Sequence, residues 1–229
     1  MKKIKWGFIG CGDVTEVKSG PAFSKVPNSS VVIVMRRNGD KARDYAERHK
    51  ISEWTDNADD VIKHPDVNAV YVATPPDSHA EYTIKAALAG KAVYVEKPMA
   101  RNYPECREMI SACKSAGVPL FVAYYRRTLP PFVKVQQLVE NGVIGKILCV
   151  NIRLLMSPGQ QDLDPENLPW RVIPEISGGG YFIDMGSHQL DYLDYLFGRI
   201  VSVEGIARNL SGLYPAEDTV STGFLFESG

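Results

Sequence analysis

Lys97 closes the apolar run Ala92-Val93-Tyr94-Val95 and stands between Glu96 and Pro98 in the stretch YVEKPMA. The run reads as a buried strand. An ammonium group at its carboxyl end is partly stripped of water, which disfavours the charged form and lowers its pKa. Such a group can stabilise negative charge on a reacting oxygen. It can equally be an edge lysine whose stem lies on apolar surface while its head reaches water. A second cluster, GGGYFIDMGSHQLD over residues 178–191, sets Asp184 and His188 four positions apart, on one face of a helix, with Asp191 three positions further on. A histidine beside a carboxylate is a usable acid–base pair near neutral pH. The same residues would also suit a capped helix with a hydrogen-bonded histidine, or a divalent ion. No further ligand cluster accompanies them, so no metal is expected. The three glycines let the chain pass close to a ligand or to another backbone.

The stretch GFIGCGDVT supplies Gly10-x-Gly12-x-x-Thr15 directly after a strand-like segment. The first glycine permits a tight turn and the second a close approach to a pyrophosphate. A helix opening at Asp13 and Val14 points free N–H groups at that anion. Thr15 stands where a small residue is usual. An ordinary glycine turn is the plainer alternative, but the strand before and the helix after favour a dinucleotide loop. The next strand ends in Met35-Arg36-Arg37. An acidic residue there would bind ribose hydroxyls, whereas Arg36 suits a 2′-phosphate through a charge-assisted fork. Arg37 could lie on an adenine ring, and Lys41 could add charge one helical turn later. NADP is therefore expected ahead of NAD. His79, in ATPPDSHAEY, is either a structural cap or a neighbour of the cofactor; His49 and His64 fall in polar surface patterns.

These residues need elements to hold them. Strands are expected at Ile4–Ile9, Val31–Met35, Ala69–Ala73, Ala92–Val95 and Leu120–Ala123. Helices are expected from Asp13, interrupted at Gly20-Pro21, then over Asp40–His49, Asp59–Lys63, Ser78–Ala89 and Pro104–Ala116. The alternation implies α/β architecture, a doubly wound parallel sheet with right-handed crossovers over residues 1–123. Beyond residue 124 the rhythm changes. A helix is expected over Phe132–Glu140, a long strand over Lys146–Leu155, a loop over 156–180 and a helix over Phe182–Phe197. Strands follow at Val201–Asn209 and Thr219–Phe226. Residues 124–229 thus read as an α+β domain with a mostly antiparallel, open sheet. The final strand runs into a turn without a return strand, so the sheet is expected to be incomplete.

The 229 residues suffice for two modest domains, and 45% hydrophobic content supports real cores. A formal net charge of −1 gives no basic surplus for nucleic acid or anionic membrane. The first residues lack the apolar stretch of a secretory leader, and no run approaches a bilayer span. The cysteines Cys11, Cys106, Cys113 and Cys149 form no C-x-x-C pair. A reduced cytoplasmic chain is the expectation.

The pieces GFIGCGDVT, ATPPDSH, VEKPMA, YYRRTLP, NLPWRV and GGGYFIDMGSHQLD occur in that order over nearly the whole chain. Together they resemble the glucose–fructose oxidoreductase, inositol dehydrogenase and MocA (Gfo/Idh/MocA) family of NAD(P)-dependent oxidoreductases. The resemblance implies hydride transfer between a nicotinamide cofactor and a CH–OH or C=O group of a sugar, cyclitol or related polyol. It makes Lys97 the lysine at the nicotinamide and reacting oxygen, with a cis Lys97–Pro98 peptide. Asp184 becomes the carboxylate that orients substrate hydroxyls, and His188 the general acid and base. Gly10, Gly12, Asp13 and Val14 become cofactor contacts, as do Ala73, Thr74, Pro75, Pro76 and Glu96. Trp170 and Arg171 match a pair that reaches the cofactor in some members. Tyr124 to Arg127 match the crossover between domains. A homodimer or homotetramer through the C-terminal sheet is implied as well. Relatives that use the cofactor transiently, in sugar hydrolysis or epimerisation, and a non-catalytic NADP sensor are the rival readings. The chain is about a third shorter than family members, whose second sheet continues further.

Overall fold

The computed structural model describes residues 3–229 and divides the chain into two compact units, Met1–Ala123 and Tyr124–Gly229. In the first unit six parallel strands lie in the order β3-β2-β1-β4-β5-β6. They are β1 (Ile4–Ile9), β2 (Ser29–Met35), β3 (Glu53–Thr55), β4 (Ala69–Val72), β5 (Ala92–Val95) and β6 (Leu120–Val122). The sequence is nearly continuously apolar in the middle strands because helices cover both faces of the sheet. Alternate side chains divide between two cores. Ile9, Ile33, Met35, Val70, Val72, Val93 and Val95 point to one face, against α4 (Ala58–Lys63), α5 (His79–Leu88) and α6 (Tyr103–Ala116). Phe8, Val34 and Tyr71 point to the other, with Phe23 of α2 (Gly20–Lys25) and Tyr45 of α3 (Gly39–His49). The edge strand β3 was not expected: Glu-Trp-Thr has no apolar run, and the strand exists because it pairs with Ile33–Met35.

The helix after β1 is short. Here α1 spans Asp13–Val17, and α2 restarts at Gly20 with Pro21 in its first turn, where a missing N–H costs nothing. Gly20 is fixed by contact: a Cβ there would lie 1.9 Å from the Thr15 carbonyl oxygen, which accepts the Tyr45 hydroxyl at 3.0 Å.

In the second unit α7 (Pro130–Glu140), α8 (Pro174–Ser177) and α9 (Ser187–Phe197) accompany an antiparallel pair, β7 (Ile200–Arg208) and β8 (Thr219–Phe226). Tyr192 ties α9 to α7, its hydroxyl donating to Phe132 O at 2.5 Å and its ring meeting Phe132 edge-on. Two expectations change. The strand placed over Lys146–Leu155 is absent: the segment has no ladder, and Leu148, Ile152 and Leu154 are exposed. Alternation specifies a strand only when a neighbour supplies hydrogen bonds, and neither β7 nor β8 pairs with this segment. The helix expected from Phe182 begins instead as a π turn over Phe182–Gly186. Among the described residues no helix is long and apolar enough to cross a membrane.

Gly20→Ala is expected to lower unfolding free energy by about 2 kcal/mol or more, because the backbone at Thr15 must yield. Gly12→Ala, whose Cβ would meet nothing within 4 Å, should change it by less than about 0.5 kcal/mol. Urea denaturation of both variants checks the pair.

Candidate functional site

Strand order reverses between β1 and β4, and it is at the carboxyl ends of the strands at such a point that parallel α/β sheets take ligands. The glycine turn sits there. Gly10 has φ +94°, and a Cβ on it would come 2.8 Å from Thr74 N and 2.9 Å from Ala73 C. The turn is thus pressed onto the segment that follows β4. Gly12 differs, since its Cβ direction opens on space. A backbone cradle with an open side is what a pyrophosphate requires, so these residues fit a dinucleotide. Thr15 is fully buried, and its hydroxyl donates to Gly12 O at 2.8 Å. The larger third residue is therefore accommodated by bonding to the turn itself. Cys11 within the turn is buried, which pushes its thiol up to about 11 and leaves it unreactive near neutrality.

The short helix α1 is held from behind. Glu16 Oε2 and Oε1 accept Arg48 Nη1 and Nη2 at 3.0 and 2.6 Å, and His49 Nε2 lies 2.8 Å from the same Oε2. His49 also stacks on Tyr45. The Arg48 guanidinium brings the Glu16 carboxyl down to about 2. His49 and His64 are therefore not idle surface residues, since His64 Nε2 meets Glu53 at 3.2 Å and its Nδ1 accepts Asp66 N–H.

At the end of β2, Arg36 N–H donates to Thr55 O and its Nη1 reaches Cys11 O at 3.4 Å. Arg37 and Lys41 are exposed. Among the described residues, the ion pairs found leave out Arg36, Arg37 and Lys41. The cluster can offer charge to an anion.

Lys97 follows β5, two strands from the glycine turn. The ladder continues one residue past the strand, with Glu96 N–H donating to Val72 O at 2.9 Å. Glu96 is buried; its Oε1 accepts the Tyr71 hydroxyl at 2.5 Å and its Oε2 accepts Lys97 N–H at 3.2 Å. Burial raises its pKa, against the lowering effect of Tyr71 and the Lys97 backbone. The Lys97–Pro98 peptide is cis, as the resemblance implied, and Lys97 is half-buried. His79 is fully buried beneath this turn. Its Nδ1 lies 3.0 Å from Pro98 O and its Nε2 2.7 Å from Thr74 O, and burial lowers its pKa. Both ring nitrogens face backbone carbonyls, so of its two expected roles the structural one has the geometric support. His79 joins the Thr74–Pro76 segment to the Lys97 turn.

The second unit holds Asp184 and His188, both buried. Asp184 lies in the π turn and His188 in the first turn of α9. Single π turns recur at functional sites, and this one replaces the regular helix from which the four-residue spacing was argued. Arg171 Nε donates to Asp184 Oδ2 at 3.0 Å while its guanidinium lies over the Trp170 ring, 4.4 Å from the centroid. Tyr125 and Tyr124 meet the His188 ring edge-on at 5.1 and 6.0 Å. Asp191, a candidate partner for His188, instead forms a two-point ion pair with Arg127, at 2.9 and 2.5 Å. That pair fixes the turn carrying Tyr125 against α9. The glycine run serves backbone packing: a Cβ on Gly180 would lie 2.4 Å from Glu217 O. The 156–180 loop is anchored by buried Asp162, which accepts Gly159 N–H and the Tyr181 hydroxyl, each at 2.7 Å. Burial and Asp162 push the Tyr181 phenol up to about 12. Among the described residues no group of three metal-ligating side chains is assembled.

Tyr71 and Asp162 were not anticipated as site residues, and Arg127 was expected only as part of the Tyr124–Arg127 crossover. Tyr71 carried a signal, because a phenol within a fully buried strand must find a hydrogen-bond partner.

Residues 4–124 match the family described as "Oxidoreductase family, NAD-binding Rossmann fold", and residues 132–229 match the "GFO/IDH/MocA C-terminal domain". Oxidoreductase P35 of Formosa agariphila is 46% identical over 202 residues, covering 88% of this chain and 63% of that protein. D-xylose dehydrogenase of Paenarthrobacter nicotinovorans is 34% identical over 172 residues, 75% of this chain and 44% of that protein. The WlbA dehydrogenase of Bordetella pertussis, solved with NADH and UDP-GlcNAcA, superposes with a TM-score of 0.87 at 28% identity, over 100% of this chain and 65% of that one. The chain thus spans less than two thirds of the length of these relatives.

Glu16 stabilises the fold above its ordinary pKa of 4.5, and this contribution is lost as pH falls toward its folded value of about 2. Glu16→Gln is expected to cost about 1 kcal/mol at pH 7, modest because the pair is partly solvated. The difference from the parent chain should narrow steadily below pH 4.5 in urea titrations.

Proposed function

The chain belongs to the Gfo/Idh/MocA oxidoreductase family, and from that premise we propose that it serves an enzyme moving hydride between NADP(H) and a CH–OH or C=O carbon of a sugar, cyclitol or related polyol. NAD(H) is the alternative cofactor. The observation that carries this reading is the carboxyl edge of the first unit's sheet. There an open glycine cradle after β1 and a lysine turn after β5, held by Glu96 and His79, stand at the same edge of the sheet with only β4 between them. The names of the relatives, a D-xylose dehydrogenase and a dehydrogenase solved with NADH and a nucleotide sugar acid, support the substrate class.

Bound, the nicotinamide would supply the hydride acceptor or donor; the chain's own residues do the rest. Gly10, Gly12, Asp13 and Val14 would receive the pyrophosphate, and Arg36 with Arg37 and Lys41 the adenosine end with its 2′-phosphate. Ala73, Thr74, Pro75 and Pro76 would line the cofactor, with Glu96 beyond them. Lys97 donates a hydrogen bond to the reacting oxygen and stabilises its developing negative charge. His188 takes the hydroxyl proton during oxidation and returns it during reduction. Asp184, already held by Arg171, orients substrate hydroxyls. Trp170 packs the guanidinium that fixes it, which makes the Trp170-Arg171 pair a support for Asp184 as well as a candidate cofactor contact. Assembly through the C-terminal sheet and action in the cytoplasm belong to the same proposal.

A panel of sugars and cyclitols with NADP and NAD, followed by absorbance of the reduced nicotinamide, tests the activity; product without net reduced cofactor would favour transient cofactor use instead. Lys97→Ala is expected to lower turnover by about 10²-fold or more while NADP affinity changes little. Unchanged turnover would remove Lys97 from the chemistry. Arg36→Ala should weaken NADP binding by about tenfold and NAD binding hardly at all. Equal effects on both cofactors in fluorescence titration would refute the 2′-phosphate assignment.

A further inference from the structure

Tyr71 and Glu96 form a buried polar contact inside the first unit's core. The Tyr71 hydroxyl donates to Glu96 Oε1 at 2.5 Å and lies 2.7 Å from the Ser19 hydroxyl. Ser19 Oγ in turn lies 3.2 Å from Val14 O, in α1. The chain Val14–Ser19–Tyr71–Glu96 thus runs from the helix of the glycine turn to the residue before Lys97. Glu96 closes it by accepting Lys97 N–H. A carboxylate withdrawn from water needs such donors to remain charged, and from the aromatic core beside it Tyr71 supplies one through its phenol.

We propose that Tyr71 is a positioning residue that keeps the Glu96 carboxylate ionised, and that this carboxylate makes the site favour oxidised over reduced nicotinamide cofactor. The inference rests on the dinucleotide reading given above. The oxidised nicotinamide ring carries a positive charge and the reduced ring is neutral. A fixed negative charge at the lysine turn therefore stabilises one form and not the other. The charged and titratable groups facing Glu96 are Lys97 beside it, Lys18 after α1, and the phenols of Tyr71 and Tyr94. Lys97 and Lys18 hold its proton off, as does the Tyr71 hydrogen bond, while burial opposes them. Removing the phenol oxygen leaves burial less opposed, so Glu96 protonates at higher pH and the preference fades with it.

The test is the ratio of dissociation constants for NADPH and NADP, measured by fluorescence titration of the 229-residue chain across the whole pH range in which it stays folded. The ratio cancels the 2′-phosphate, which titrates alike in both forms. The parent chain should favour the oxidised form more strongly as pH rises. Tyr71→Phe should follow the same curve displaced to higher pH. Glu96→Gln should give a flat ratio about tenfold lower than the parent at pH 9. Equal weakening of both forms by Tyr71→Phe at every pH would reduce Tyr71 to a packing role and overturn the proposal. A parental ratio in Glu96→Gln would overturn it too, and this comparison decides the matter if Tyr71→Phe does not fold. A parent chain that binds neither form would defeat the dinucleotide reading itself, and this inference with it. Parental binding with an unmoved ratio would defeat this inference alone.

Discussion

Gly10 touches the backbone after β4 so closely that no side chain fits between them. Most of the first unit follows from that contact. It sets the distance between the carboxyl ends of β1 and β4, the point at which strand order reverses. A positive φ at Gly10 turns the chain away from the sheet, and α1 must start within a few residues. That helix is too short to hold its place by its own hydrogen bonds. Tyr45, Arg48 and His49 of α3 do so instead, through Thr15 O and Glu16. The cradle is therefore shaped by α3 as much as by the glycines.

The lysine turn obeys a related constraint. Where a strand leaves a buried sheet, its polar backbone groups lose the ladder and must find other partners. After β5 these partners are side chains: Glu96 accepts the Lys97 N–H, and His79 meets the Pro98 carbonyl. His79 also meets Thr74 O, so the segment after β4 and the turn after β5 share one imidazole. Groups that satisfy the backbone thereby fix where the ammonium begins. In the second unit Arg127 and Asp191 perform the equivalent task for the turn that brings Tyr125 to His188.

Much of the first unit was legible because its signals are local. Apolar runs, glycine stops and the strand–glycine–helix order each survive without knowledge of partners. The strand β3 was not legible, since Glu53-Trp54-Thr55 becomes a strand only through the exposed edge of β2. The reverse holds for 146–155, where a strand-like pattern has no ladder. Candidate residues stood out where chemistry and spacing coincide, as at Lys97 and His188. The supporting contacts were hidden, because Tyr71, Arg127 and Asp162 meet partners 25, 64 and 19 positions away. The π turn was hidden too, because Phe182–Phe197 reads as one uninterrupted helix by its periodicity.

The stretch 146–155 has a consequence for the behaviour of the chain in solution. Leu148, Ile152, Leu154 and Leu155 face water with their backbone amides unengaged by any ladder. High β-propensity together with open hydrogen-bonding groups is what recruits foreign strands and seeds precipitation. Lys146 and Arg153 are the only charges within it, and Cys149 adds an exposed thiol open to oxidative cross-linking. Within this stretch, two cations and a reduced thiol are what oppose self-association.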